Sequence, residues 1–258
     1  MSQPLPPGWG SDHISRYLVS TQENRWAAFV HLQPIWDHLV RIDQQFERAT
    51  DNLSHQSRIA LVFALQFLVR SRSSFLAGVQ TCTGGQLAET YMLLRGCLES
   101  ALYGLHITQR KEALEIWLRR DEGEAPKKRM RNAFAFGPLL TALESLDPET
   151  GPVARRLYEQ TIDYGAHPNP YSLLTQSTRT EQEKSVDFSQ TWITGDCIAM
   201  RLCLKTTAEV GLCALHIFRH VFPTKFDILG ITEKIRILRD PIQTRRYHIP
   251  HTGPDGVE

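Results

Sequence analysis

The chain has 258 residues, 41% hydrophobic and 22% charged, with 29 Lys and Arg against 28 Asp and Glu for a net charge of +1. That length and apolar content support a real hydrophobic core, and they exclude a disordered or fibrous chain. A near-neutral balance provides no overall field to recruit nucleic acid or an anionic membrane.

Residues 1–10, with three prolines and two glycines, predict a loose N-terminal arm without the basic-then-apolar pattern of a secretory signal. Ser11 or Asp12 can cap a first helix over roughly Ile14 to Gln22. A second helical pattern runs from Trp26 to Phe46, kinked or restarted at Pro34. In it Trp26, Phe29 and Trp36 recur at helical spacing with aliphatic residues and are expected to anchor the core. The next helix, Ser57 to about Gln80, contains the apolar run Ile59–Val69. At roughly 16 Å, that run spans about half a bilayer core. No membrane segment is predicted, and the expected location is cytoplasmic.

Gly84-Gly85 should break the chain before a helix from Gly84 to His106 that is apolar almost all round. Gly96, Ser100 and Gly104 form a small-residue stripe on it, of the kind that lets another helix approach closely. Lys111 to Arg120 reads as an amphipathic helix. DEGEAPKKRMR (121–131), around Pro126, reads as a solvated turn. Phe134–Leu146 and Thr150–Tyr164 read as further helices, the latter stopped by GAHPNP (165–170). In the polar stretch 171–190, Leu173-Leu174 and Val186-Asp187-Phe188 can pair as a small hairpin. A long helix from Cys197 to Phe222 ends at Pro223, a final one covers about Ile228 to Leu238, and the tail from Asp240 is expected to be extended. The predicted fold is all-α: a single helical bundle of about seven to nine helices over 11–239, with a small hairpin near 171–190, an arm at 1–10 and a tail at 240–258.

The five cysteines include no CxxC pair, so they are expected to be buried, reduced thiols. Phosphate-loop, GxSxG, HExxH and GxGxxG patterns are absent, which removes the common nucleotide and hydrolase chemistries.

Two polar lines remain. On the helix that begins at Gly84, Arg95, Glu99 and His106 lie within about 40° of one another around the axis. Ionisable groups on a buried helix are costly unless paired. The line is therefore a structural Arg–Glu clasp, or a pocket in which Arg95 holds an anion and Glu99 or His106 moves protons. His167, held after a helix end by a Pro-containing turn, is a candidate partner for that pocket or a cap for the helix. On the last long helix Lys205, Glu209 and His216 form a second line, a candidate binding face. Glu99-x6-His106 and Glu209-x6-His216 share a spacing, yet about 10 Å of rise separates each pair, so no metal site and no cofactor are predicted. Lys127, Lys128, Arg129 and Arg131, with Arg119 and Arg120 upstream, could meet nucleic-acid phosphates, but Asp121, Glu122 and Glu124 interrupt them.

The Arg95-x3-Glu99 helix with the later TyrGlyAlaHisPro (164–168) resembles, over about residues 55–225, a loose group of uncharacterised bacterial helical proteins. Some of that group are similar to the HEPN bundles of toxin and phage-defence systems. HEPN ribonucleases carry Arg-x(4–6)-His, whose two residues act together at the scissile phosphate. In the Pro-rich tail Arg245 or Arg246 keeps that spacing to His251. The leading expectation is a partner-binding or regulatory protein, forming a homodimer. The alternative is a divergent HEPN-like ribonuclease, or another metal-independent phosphate-directed enzyme, using Arg95, Glu99, His106 and His167.

Overall fold

The computed structural model describes residues 6–53, 56–166, 177–182 and 185–243. Among these are eleven α-helices and one antiparallel hairpin, an all-α bundle as the periodicity predicts. In chain order the helices are α1 His13–His31, α2 Gln33–Asn52, α3 Ile59–Thr83, α4 Leu87–Gln109, α5 Ala113–Leu118, α6 Glu124–Ala133, α7 Phe136–Leu146 and α8 Thr150–Thr161. A π turn, Ile162–Ala166, continues α8. After the strands β1 Ser177–Gln182 and β2 Ser185–Gln190 come α9 Ile198–Val221, α10 Pro223–Ile228 and α11 Ile231–Gln243.

The centre is α3, α4 and α9 packed on one another. Helix α9 is buried nearly all round, as its side chains from Met200 to Phe218 predict. Helix α2 lies against them through Ile35, Leu39, Ile42, Phe46 and Ala49, the one-sided spacing of a helix that covers a core. On the other flank α8 packs on α4, α7 and α9, while α11 sits on α9 and α2.

The small-residue stripe of α4 is filled from within the chain. A side chain on Gly104 would meet the ring of Phe218 at 2.9 Å and Phe67 at 3.3 Å, and one on Gly96 would meet Ser74 at 3.6 Å. It therefore seats α3 and α9, and it is no surface for a second copy.

Several boundaries differ from the sequence reading, each for a local reason. Helix α1 runs on to His31, and Pro34 opens α2 in its first turn, where a missing N–H costs nothing. DEGEAPKKRMR does not form a turn throughout, because Pro126 again falls in a first turn and Glu124–Ala133 is helical. A short helix, Pro223–Ile228, precedes the last predicted one and is parted from it at Gly230 in a left-handed conformation, and α11 continues past Asp240 and Pro241 to Gln243. The hairpin pairs Val186 with Glu181 and Phe188 with Arg179, so its first strand is Ser177–Gln182. Leu173 and Leu174 lie outside the described residues, as do residues 1–5 of the predicted arm and 244–258 of the tail.

Helix α1 departs most from expectation. It turns only small residues inward, Ser15, Thr21 and Ala28, while Trp26 and Phe29, expected in the core, face outward. Phe29 packs edge-on against Trp36 at 5.2 Å. Helix α3 also exceeds its predicted apolar run. At 25 residues, with an 18-residue window of mean hydropathy 1.4, it is long and apolar enough to cross a membrane, and 28% of that window is buried in the bundle. Its buried side chains, Ala64, Leu68, Phe75 and Cys82, hold it against α2, α4 and α9.

The turn between α3 and α4 is fixed by Gly85 at φ +86°, where an added side chain would meet the backbone of Thr194. Thr194 N–H donates to Gly85 O at 3.0 Å, and the Asn24 amide donates to Gly84 O and Thr194 O, both at 3.3 Å. That knot ties α1, the α3–α4 turn and the segment before α9 together.

Candidate functional site

The first polar line divides into a pair and an outlier. Arg95 Nε donates to Glu99 Oε1 at 2.8 Å and its Nη2 donates to Tyr158 Oη at 3.0 Å, with the guanidinium 5.2 Å from the Tyr158 ring centre. Tyr158 comes from α8, so the clasp joins α4 to the helix that crosses it. Burial pushes the Tyr158 hydroxyl up, opposed by the Arg95 charge, so it stays a neutral phenol.

His106 is not part of this cluster. Eleven residues beyond Arg95 it lies about 16 Å further along the axis. A wall of rings fills the interval: Tyr158 on Phe136 at 4.8 Å, Phe136 on Tyr103 at 5.7 Å, Tyr103 against Phe134 at 4.7 Å, and Phe134 against His106 at 4.8 Å. Burial, then the nearby Arg110 charge, lowers the His106 pKa. Its ring borders a separate cavity with Arg110, Glu112 and Leu139. Arg95 and Glu99 thus come together, and His106 stands apart. His167 lies outside the described residues; the π turn before it is held on α4 by stacking of Tyr164 on Tyr91 at 5.3 Å.

Replacing Arg95 by alanine should therefore cost about 1 kcal/mol, because the part-buried i,i+4 pair is worth a few tenths and the cation–π contact about 0.5–1. A melting temperature lower by about 2–4 °C with an unchanged helical spectrum is the expected result.

The second polar line borders a cavity. Glu209 bonds Arg156 of α8 at 3.0 Å and lies 3.9 Å from Lys205. His216, one of the buried polar residues, lines the same cavity between α8, α9 and α11, with Arg239 opposite. Nearby, Asp147 accepts backbone N–H bonds from Thr150 at 2.9 Å and Glu149 at 3.1 Å, capping α8. It also bonds His220 at 2.8 Å and Arg219 at 3.3 Å. Burial would raise the Asp147 carboxyl, but the His220 and backbone bonds hold it far below the usual carboxylate range.

Among the described residues no three His, Cys, Asp or Glu side chains converge as metal ligands. Four of the five cysteines are buried, and burial pushes the Cys97 thiol up to about 12 and Cys82 well above its ordinary value, which makes both poor nucleophiles. Several basic residues around α5 and α6 are paired locally: Arg119 with Glu122 at 2.7 Å and Glu115 at 3.3 Å, Lys127 with Glu124 at 3.5 Å, and Arg131 with Glu124 at 3.7 Å, while Lys128 and Arg129 are exposed.

Three residues of these sites escaped the sequence reading. Tyr158, Arg156 and Arg239 are tied to the polar lines only by packing, and no spacing signals them. A fourth feature was legible: the Arg-x(4–6)-His spacing also occurs inside α1, at Arg25 and His31. Arg25 donates to Gln22 at 2.7 Å, Thr21 at 3.1 Å and Gln80 O at 3.3 Å, and His31 is exposed in the last turn. Comparison of the chain with protein-family models, with curated proteins and with solved structures gives no match.

Proposed function

We propose that the chain is a partner-binding, regulatory helical protein, and that its first partner is a second copy of itself, docked through α1. The observation that carries this is a ridge along the outer face of that helix. Ile14, Leu18, Gln22, Trp26 and Val30 follow one another at four-residue steps, and the four apolar members are 74%, 41%, 63% and 62% exposed. Such i±4 rows are the ridges that interdigitate when helices pack.

The order along the ridge is symmetric about Gln22. Leu18 and Trp26 lie four residues to either side, Ile14 and Val30 eight. Two antiparallel copies related by a two-fold at Gln22 would set Leu18 beside Trp26 and Ile14 beside Val30 of the other copy. This is the self-complementary pattern of a two-fold interface, with one polar residue on the axis to fix register. With Phe29 the ridge exposes on the order of 500 Å² of apolar surface, more than half the ~800 Å² that each partner buries in a standard interface.

Light scattering should give twice the chain mass for the native protein, and the Leu18→Glu, Trp26→Glu variant should be monomeric with the same helical spectrum. Gln22→Cys should cross-link to itself on oxidation, because the axis brings the two copies of position 22 together. A monomer at high concentration, or a dimer unaffected by the double variant, overturns the proposal.

A second reading is favoured by one pattern, Arg25-x5-His31 within α1. If the chain is a HEPN-like ribonuclease, these two residues, rather than the Arg95 line, match the pair that family uses. RNA cleavage lost in His31→Ala, with folding intact, would support it.

A further inference from the structure

The cavity between α8, α9 and α11 has a volume of about 130 Å³. That is close to the ~150 Å³ engineered cavity that admits benzene, so it has room for about five or six non-hydrogen atoms. Its walls combine the apolar Val153, Leu212 and Cys213 with Arg156, Arg239, Thr150, His216 and the Glu209 carboxylate.

His216 is only 8% exposed, and its Nε2 is sealed from solvent with no hydrogen-bond partner. That nitrogen is closed off from the cavity as well, so the residue borders the space through its other atoms. The cations around it are incompletely used. Arg156 bonds Glu209 at 3.0 Å and Gln160 at 3.4 Å, and Arg239 bonds the exposed Glu149 at 3.1 Å, leaving more than half of the five N–H donors on each guanidinium. Arg219 is balanced by Asp147, so Lys205, Arg156 and Arg239 face Glu149 and Glu209 with one positive charge in excess.

We propose that this cavity binds a small organic anion, a carboxylate held by Arg156 and Arg239 whose short aliphatic stem lies on Val153 and Leu212, with the His216 imidazole in the wall beside it. Guanidinium groups suit a carboxylate because their donors match its two oxygens. A few polar groups converging in a mostly apolar cleft is the usual make-up of a small-ligand site. The histidine supplies a reporter. Burial first, then the Arg219 and Arg239 charges, lower its pKa to about 4, with Asp147 opposing and His220 adding to the effect. A bound anion offsets those cations, so binding raises the His216 pKa and takes up a proton.

The test is titration of the full-length protein with sodium propionate, following the His216 ring protons by NMR together with the melting temperature. At ~20 mM, above the roughly millimolar affinity that five atoms can supply, propionate should raise the His216 pKa by at least one unit and raise the melting temperature saturably. Arg239→Gln should weaken the effect at least tenfold, and propionamide, the uncharged isostere, should produce none. Should Arg239→Gln fail to fold, the His216 titration of the native chain still decides. Unmoved His216 resonances, or an equal response to propionamide, overturns the proposal.

Discussion

Gly211→Ala should lower the melting temperature, although alanine is the better helix former by about 1 kcal/mol. The new methyl would lie 2.6 and 2.8 Å from ring carbons of Phe75 and 3.0 Å from Ile42, distances at which something must shift. Neither neighbour has room, since Phe75 and Ile42 are fully buried and the Phe75 ring is backed by Phe46 at a centroid distance of 5.6 Å. Overpacking a tight core costs about 1–3 kcal/mol, so the clash outweighs the propensity gain. A net loss of about 1–2 kcal/mol, or roughly 3–6 °C, is expected. Gly211→Leu, with three further carbons, should exceed about 4 kcal/mol, among the rare large effects of a single substitution. The decisive comparison uses Phe75→Leu. In that background the ring is gone, and Gly211→Ala should become neutral or stabilising, a coupling of about 2 kcal/mol between touching residues. If Gly211→Ala costs the same in both backgrounds, the ring contact is not what keeps position 211 small.

The same triangle of Phe75, Ile42 and Gly211 shows what the sequence makes legible. Ile35, Leu39, Ile42 and Phe46 recur on one side of α2, and that side meets the core, because a helix with one apolar stripe has only one way to bury it. The rule works in one direction only. Trp26 and Phe29 keep the same spacing on α1 and point outward, since periodicity reveals an apolar face but not whether the fold supplies a neighbour for it. Pro126 and Pro34 illustrate a different limit. Each reads as a break, yet in a first turn proline is compatible with the helix that follows. At the candidate sites the residues on one helix were legible: Arg95 with Glu99, and Glu209 with His216. Their partners Tyr158, Arg156 and Arg239 were not, because they arrive from helices whose crossing is set by packing. Arg95 and His106 share a direction around α4, but the rise between them leaves room for the Tyr103, Phe134 and Phe136 rings.

Acid should destabilise the protein in a window that the buried histidines set. His216 and His38 both have pKa values lowered to about 4, in each case by burial first and then by nearby arginine charge. In the unfolded chain each returns to an ordinary value near 6.5. Between pH 6.5 and pH 4 the unfolded state therefore binds more protons than the native state, so stability rises with pH across that interval and is lost as pH falls through it. Above pH 6.5 both states are neutral at these positions and the full stability is present. For His216 alone a shift of about two and a half units corresponds to on the order of 3 kcal/mol at the acid end. Asp147 does not act in the same window. Its native pKa lies below the ordinary carboxylate value, so its contribution is present above about pH 4 and is lost only at lower pH. Urea unfolding at a series of pH values should show the native chain losing stability steadily from pH 6.5 to 4. In His216→Leu a substantial part of that loss should vanish, the remainder belonging to His38 and His106. The outcome that would sink this assignment is an unchanged slope in the leucine variant, which would place the titrating groups elsewhere. Because an anion in the cavity raises the native pKa of His216, saturating propionate should flatten the same slope in the native chain and leave the leucine variant unaffected.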